Sequence, residues 1–204
     1  KKELMQQPEE ERKILEGTHV LSHYFTVFPL LVLNEQNVPV SRAALTVYPE
    51  DTDAYLGFFE SENDPKAASL LIKEAEKIAV SQNCTKITGP IDASFWIRYR
   101  FKRNCFDLSY TGEPYNKDYY AALWQKAGFE IAERYYSNHY RKVKPSDKNS
   151  LFSARLAQKR QEGYRIESPS KDTFDKTLIE VYELLIELYQ SFPAYKRISR
   201  DEFV

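Results

Sequence analysis

The sequence predicts an α/β protein with a mixed, mostly antiparallel, twisted sheet flanked by helices. Three apolar runs rich in β-branched and aromatic residues follow one another between residues 25 and 60, as in consecutive strands. Apolar positions at helical spacing then continue through residues 65–81. A brief strand at 86–88 follows that helix, and such a strand, helix, strand crossover places the two strands parallel.

The first predicted element is a short helix at residues 8–16. Pro8 precedes three glutamates, and negative charge in a first helical turn is favourable because the N-terminal end of the helix dipole is positive. Gly17 is a typical C-terminal stop, since glycine adopts the left-handed conformation that ends many helices.

A hairpin and a third strand come next. The runs at 25–33 and 38–48 are separated by a polar turn at 34–37, which predicts an antiparallel pair. After Pro49-Glu50-Asp51 the chain enters the strand that contains Gly57, so the three strands form a meander. We expect the following helix to cover one face of this sheet.

The main helix begins directly after the third strand. Asp64 is a typical N-cap because its carboxylate accepts hydrogen bonds from unpaired amides, and Pro65 fits the first helical position. A strand-to-helix junction leaves backbone N–H groups and a positive dipole end facing a crevice. We expect an anionic group to bind there; the alternative is that Asp64 is only a cap.

The later elements are predicted from helical spacing and glycine stops. A short helix at 119–126 ends at Gly128, and residues 129–141 are typical of a long strand. A charged helix from about 148 to 161 acts as a connector before another strand at 163–167. A long amphipathic helix is then indicated by apolar positions at Phe174, Leu178, Val181, Tyr182, Leu185 and Tyr189.

The composition disfavours several classes of function. The 204 residues carry a formal net charge of −1, so no overall field favours nucleic acid or an anionic membrane. The longest apolar stretch, at 25–33, is too short to span a bilayer. Cys84 and Cys105 make neither a disulfide framework nor a zinc-type spacing, and the histidines are dispersed, so we expect no metal site. We expect a cytoplasmic protein with reduced thiols, and a fragment, since Lys1 stands where an initiator Met is usual.

Three short motifs lie at the predicted junctions between strands and helices. They are Gly57-Phe58-Phe59-Glu60 before Asn63-Asp64, Gly89-Pro90 after the next strand, and Asn116, Tyr119 and Tyr120 before Gly128-Phe129. Together they resemble the GNAT superfamily of N-acetyltransferases, and most of all a two-unit branch of it. The resemblance covers about residues 18–142. It implies that the strand before the main helix binds the pantetheine arm of an acyl-coenzyme A, and that the pyrophosphate lies at the helix N-terminus.

The resemblance also implies a reaction and its residues. Acetyl-coenzyme A or another acyl-coenzyme A is the expected co-substrate, without a metal, and a small-molecule or peptide amine is the expected acceptor. The implied coenzyme-binding residues are Gly57, Phe58, Phe59, Glu60, Asn63, Lys66, Ala67 and Asn116. The candidate catalytic residues are Glu60 as the base, at the end of the central strand, and Tyr119 or Tyr120 as the acid, about one helical turn before the superfamily's usual acid position. By residue type alone, Glu60 equally suits a solvated strand end, and tyrosines mostly pack in cores.

The resemblance divides the chain into three parts. An acyl-coenzyme A-binding domain is expected at 1–145, a helical linker at 146–162 and the start of a second GNAT-like unit at 163–204. Residues 198–203 begin the next helix of that second unit. Because the first unit lacks its own opening strand and helix, we expect the segment 163–191 to pack beside it. No membrane or nucleic-acid partner is expected, and a homodimer is left open.

Departures from the superfamily pattern leave two other functions open. Glu62 and Asp64 put negative charge where a phosphate would bind, in a turn that has no glycine. Trp124 stands where the superfamily usually has its tyrosine acid, and an indole cannot deliver a proton near neutral pH. The first alternative is therefore a GNAT-like binding module that has lost catalysis. The second is single-stranded nucleic-acid binding through the basic aromatic run at 96–103.

Overall fold

The computed structural model describes residues 8–107, 112–138 and 150–204. The chain divides into two compact units. The first unit takes the chain up to Glu130 and also includes Tyr182–Val204. The second unit is Ile131–Val181. The sheet and the candidate site lie in the first unit.

The sheet of the first unit has four strands in sequence order. They are β1 (Thr26–Leu33), β2 (Pro39–Val47), β3 (Asp53–Ser61) and β4 (Lys86–Thr88). The first three strands form an antiparallel meander, and β4 pairs parallel to β3. The predicted mixed α/β class with a mostly antiparallel sheet is confirmed.

Among the described residues before 130, three α-helices form besides a 3₁₀ turn at Ser22–Tyr24, and all three α-helices were predicted. They are α1 (Pro8–Leu15), α2 (Pro65–Ser81) and α3 (Tyr120–Lys126). The start of α2 follows the local rule, because the Asp64 carboxylate accepts from the Lys66 amide at 2.8 Å and Pro65 takes the first helical position. The periodic apolar face of α2 is buried, as its spacing predicts.

The sheet is covered on both faces. On one face α2 and α3 pack against β2 and β3 through side chains such as Leu56, Leu71 and Leu123. On the other face α1 and the C-terminal residues pack through Ile14 and Ile198. Burial on both faces explains why β2 and β3 do not alternate between apolar and polar residues.

Three more helices complete the described chain. They are α4 (Ser150–Gln161), α5 (Phe174–Tyr189) and α6 (Arg200–Phe203). The second unit contains α4 and the first part of α5, and the predicted periodicity of α5 is confirmed as a helix. Of the C-terminal segment that we expected beside the first unit, the residues from Tyr182 onward belong to that unit.

Two predicted strands are not formed. Residues 129–138 of the run at 129–141 have no regular secondary structure, and the rest of that run lies outside the described residues. Residues 163–167 form no strand either. Phe129 packs against the core, but most of the other apolar side chains of these runs are exposed, with Tyr136 at 84% and Ile166 at 85%. Within the described ranges neither run pairs with another strand, and a single extended segment cannot satisfy its own backbone groups.

Candidate functional site

The candidate site forms where β3 extends past the end of β4. The two strands pair over three residues only, near the start of β3. On the other side of β3, Ala44 pairs with Gly57 and Arg42 pairs with Glu60, so β3 has one residue more than β2 over this step. This is a β-bulge, and within it Phe58 has a φ of 52°, which is uncommon for an aromatic residue. A bulge bends its strand, so it changes the direction of the side chains at the end of β3.

Residues that follow β4 fill the space beside the bulge. The Ile91 amide donates to the Leu56 carbonyl at 2.9 Å, and the Phe58 amide donates to the Asp92 carboxylate. Gly57 lies against them, because a Cβ at this position would overlap the Ile91 carbonyl and the Asp92 side chain. Close packing therefore requires glycine here. The Phe58 amide, on the strand that we expected to bind the pantetheine arm, is hydrogen-bonded within the protein.

The two tyrosines of the predicted acid pair lie at the end of β3. The Tyr119 hydroxyl donates to the Ser61 carbonyl at 2.9 Å. The Tyr120 hydroxyl donates to a Glu60 carboxylate oxygen at 2.6 Å and accepts from the Ser61 amide at 3.2 Å. Burial, and then the hydrogen bond to Glu60, raises the pKa of Tyr120. A tyrosine with a raised pKa retains its proton near neutral pH, so Tyr120 is better placed to orient Glu60 than to act as an acid.

A network of four charged side chains lies beside the bulge. The Asp92 carboxylate, only 6% exposed, pairs with the Arg98 guanidinium. Arg98 Nη2 also contacts Glu11 Oε1 at 2.7 Å, and Arg42 Nη2 contacts Glu11 Oε2 at 3.2 Å. Burial raises the pKa of Asp92, and the Arg98 charge and the Phe58 amide oppose that rise. The network joins α1, β2 and the segment after β4.

These features surround one cleft with about 430 Å³ of empty space, part of it open to solvent. Phe58, Phe59 and Glu60 of β3 line it, as do residues from the segment after β4. The charged residues that line the cleft are Arg42, Glu60, Asp92, Arg98 and Arg100. Much of the remaining lining is aromatic, so the cleft combines an apolar surface with charges of both signs.

The residues predicted to hold a pyrophosphate lie away from this cleft. Asn63 and Lys66 are exposed, Ala67 is buried, and none of the three lines the cleft. The Lys66 amide donates to Asp64, so a carboxylate already occupies one of the donors expected to face phosphate. The start of α2 is therefore capped by its own chain.

Asn116 does line the cleft, but its side chain is bonded to the neighbouring backbone. Its Oδ1 accepts from the Lys102 amide at 2.7 Å, and its Nδ2 donates to the Lys102 carbonyl at 3.1 Å. Asn116 thus shapes one wall of the cleft by holding the segment around residue 102.

The basic aromatic run at 96–103 is divided between the core and the cleft. The Trp96 indole donates to the Lys196 carbonyl at 2.6 Å, and Arg98 belongs to the charge network. Tyr99 stacks against Arg100 at 4.8 Å. The aromatic side chains are thus engaged with the protein itself, which disfavours successive base stacking.

Sequence reasoning missed Glu11, Arg42, Asp92 and Arg98 as a group. No spacing rule relates them, because they lie on three separate parts of the chain and meet only in the folded sheet. A weak signal was available at Gly57, since a glycine inside a strand often marks a bulge or the close approach of another backbone.

Other kinds of site find no support in the described ranges. Among those residues, no group of three or more His, Cys, Asp or Glu side chains could hold a metal ion. Nor does any helix there have the length and apolar content that crossing a bilayer requires. Comparisons of the chain with protein-family models, with curated proteins and with solved structures gave no match.

Proposed function

We propose that the chain is an acyl-coenzyme A-dependent N-acyltransferase of the GNAT type, which transfers an acyl group to an amine in the cleft beside β3. One observation carries the proposal: the bulged end of β3 lies past the end of β4 and directs Glu60, held by Tyr120, to a cleft. Beside the edge of β3 that β4 leaves unpaired, the Glu60 carboxylate lines the cleft and can serve as a base.

Glu60 serves as the base in the proposed mechanism. The incoming ammonium gives one proton to the Glu60 carboxylate, directly or through a water molecule. The amine nitrogen then attacks the thioester carbonyl, the C–S bond breaks with its electron pair on the leaving thiolate, and a second nitrogen proton goes to that thiolate. The Tyr120 hydroxyl, bonded to Glu60 at 2.6 Å, keeps this carboxylate in position.

Backbone amides of the bulge would stabilise the charge that develops on the carbonyl oxygen. The Phe58 amide is the nearest candidate, but in this structure it donates to Asp92. The oxygen must therefore compete with a carboxylate that Arg98 also holds. Binding of the acyl group thus requires Asp92 to release this amide.

A second candidate function is a GNAT-like binding module without catalysis. It is favoured by one specific observation, which is that carboxylates of the chain occupy two of the predicted donors. Asp92 accepts from the Phe58 amide, and Asp64 accepts from the Lys66 amide. Such a module would use the cleft for recognition and leave the bulge closed.

Thermal unfolding with acetyl-coenzyme A tests the proposal. A ligand at a hundred times its dissociation constant should stabilise the protein by about 2.7 kcal/mol. Release of the coenzyme thiol in the presence of mixed amines then measures transfer. A Glu60→Gln variant should bind the coenzyme like the wild type and lose a factor of about 10² to 10⁴ in rate, because it lacks the base.

Each result selects one function. Stabilisation together with thiol release supports the transferase, whereas stabilisation without release supports the binding module. If acetyl-, propionyl- and succinyl-coenzyme A all leave the unfolding temperature unchanged, the transferase proposal is wrong.

A further inference from the structure

Two side chains of opposite charge face the cleft from paired positions on neighbouring strands. Arg42 of β2 and Glu60 of β3 are partners in the antiparallel ladder, and both line the cleft. Partners in such a ladder have Cα atoms about 4.5 to 5.5 Å apart. A cationic and an anionic group therefore meet the same part of the cleft.

The Arg42 guanidinium has more N–H donors than its ion pair in the described chain uses. Among the described residues its ionic partner is Glu11, through one contact of 3.2 Å from Nη2. Glu11 is shared, because its other oxygen contacts Arg98 at 2.7 Å. A guanidinium has five N–H donors in a planar fork that fits a carboxylate, and the Arg42 side chain is 37% exposed. Arg42 can therefore bind a carboxylate that enters the cleft.

Among the described residues, the charges around the cleft balance. Three arginines and three carboxylates of this part of the chain line it or belong to the adjoining network: Arg42, Arg98, Arg100, Glu11, Asp92 and Glu60. A neutral site does not favour a ligand with a large net charge of either sign. It does suit a ligand that carries one positive and one negative group close together.

We propose that the amine acceptor is a free α-amino acid, with its carboxylate on Arg42 and its amino group at Glu60. This inference rests on the proposed function and names its acceptor class. A carboxylate has two oxygens and about four acceptor positions, so Glu60 can receive an ammonium while it keeps the Tyr120 hydroxyl. A simple amine, and the N-terminus of a peptide, lack the adjacent carboxylate and would leave Arg42 without a ligand partner.

The transfer step balances with these groups. Glu60 takes one proton from the ammonium, and the nitrogen lone pair forms the C–N bond. The C–S bond breaks, and its electron pair leaves on the thiolate. The second nitrogen proton goes to that thiolate, so an N-acyl amino acid and a free thiol are produced.

The experiment measures amino-acid binding by ligand-observed NMR. The probe is a pool of the common L-amino acids at millimolar concentration, with and without coenzyme A. Each amino acid that binds is compared with the amine that lacks its carboxylate. We expect at least one binder, and binding of its amine weaker by about tenfold or more, because a charge-assisted hydrogen-bond pair is lost.

Two matched variants separate ligand binding from structure. Arg42→Gln and Glu11→Gln both break the Arg42–Glu11 ion pair, but only Arg42→Gln removes the guanidinium. We expect Arg42→Gln to weaken binding by about tenfold or more and Glu11→Gln to keep or strengthen it, because a competing carboxylate is removed. Equal losses in the two variants would show that the ion pair is only structural, and would overturn the inference.

Different experimental results would contradict the inference and the proposed function. Acetyl-coenzyme A binding with no amino acid bound, in either NMR condition, overturns the α-amino acid acceptor and leaves the transferase in place. Amino-acid binding without any coenzyme binding keeps the Arg42 and Glu60 site and overturns the transferase.

Discussion

At the scale of single residues, Asp92 controls the bulge of β3. Its buried carboxylate accepts from the Phe58 amide and pairs with Arg98, so it holds the bulge and balances a half-buried charge. Breaking such a pair by removing one partner costs about 3 to 5 kcal/mol, since a charge is left buried. The same carboxylate competes with any ligand oxygen for the Phe58 amide. The interactions by which Asp92 stabilises the bulge would therefore weaken the binding of a ligand oxygen at the Phe58 amide.

The two tyrosines at the end of β3 should differ in their contribution to stability. Tyr120 is buried and its hydroxyl serves both Glu60 and the Ser61 amide, whereas the half-buried Tyr119 serves the Ser61 carbonyl. We expect Tyr120→Phe to lower the free energy of unfolding by about 1 to 3 kcal/mol, because it leaves polar groups unsatisfied, and Tyr119→Phe to lower it by about 0.5 to 1.5 kcal/mol.

Urea unfolding of both variants measures these differences. The two variants remove the same atom from adjacent residues, so each is the control for the other. A Tyr119→Phe variant that loses more stability than Tyr120→Phe would contradict the assigned hydrogen bonds. In the proposed transferase, Tyr120→Phe should also lower the transfer rate without changing coenzyme binding, because it releases Glu60 from its orientation.

At the scale of elements, the junction of β3 and α2 combines two roles that conflict. The helix N-terminus has unpaired amides and a partial positive charge, which attract anions. Asp64 satisfies the Lys66 amide and Glu62 adds another negative charge nearby. The carboxylates that stabilise the start of α2 therefore weaken the junction as a phosphate site.

An Asp64→Asn variant should separate the two roles. Asparagine caps a helix about as well as aspartate, so the free energy of unfolding should change by less than about 1 kcal/mol. Removing the charge should tighten acetyl-coenzyme A binding by about twofold to fivefold at low salt, and less at high salt. Titration calorimetry at two salt concentrations measures the effect.

The control removes the same charge elsewhere on α2. Glu74 is exposed in the middle of the helix and pairs with Lys77. Glu74→Gln should leave coenzyme binding unchanged. Equal tightening in both variants would mean that only the overall charge matters and that the helix start is not the phosphate site.

At the scale of the first unit, the two ends of the described chain cover one face of the sheet. Ile14 of α1 and Ile198 near the C-terminus belong to one buried cluster. Lys196 pairs with Asp51 and lies over the rings of Tyr48 and Tyr55, at 4.8 and 5.1 Å from their centroids. A half-buried cation held by a carboxylate and two aromatic faces fixes the C-terminal segment to the sheet.

Substitutions in the C-terminal residues should therefore affect the whole unit. Ile198 is 6% exposed, and Ile198→Ala should lower the free energy of unfolding by about 2 to 5 kcal/mol through lost burial and a cavity. Leu188 is 62% exposed, and Leu188→Ala should change the free energy of unfolding by about 0.5 kcal/mol or less. Chemical denaturation followed by tryptophan fluorescence compares the two. Similar losses in both variants would contradict the packing of Ile198 on the sheet.

The sequence by itself determined the elements that local chemistry specifies. The hairpin, the start of α2 at Asp64 and the helix α5 follow from turns, caps and periodicity, which act between residues a few positions apart. The candidate cleft was only partly predictable, because Glu60 and Asn116 came from motifs that resemble a family. Their hydrogen-bond partners could not be predicted in the same way.

Two features depend on the tertiary structure alone. One is whether the later extended segments pair with other strands, and the other is which charged side chains lie together at the bulge. Residues 129–138 and 163–167 are strand-like in sequence, but a strand also needs a neighbour, and sequence pattern does not supply one. Glu11 and Arg98 are 87 positions apart and pair only because α1 lies against the sheet. The network that occupies the Phe58 amide is thus a product of long-range packing, for which no local rule exists.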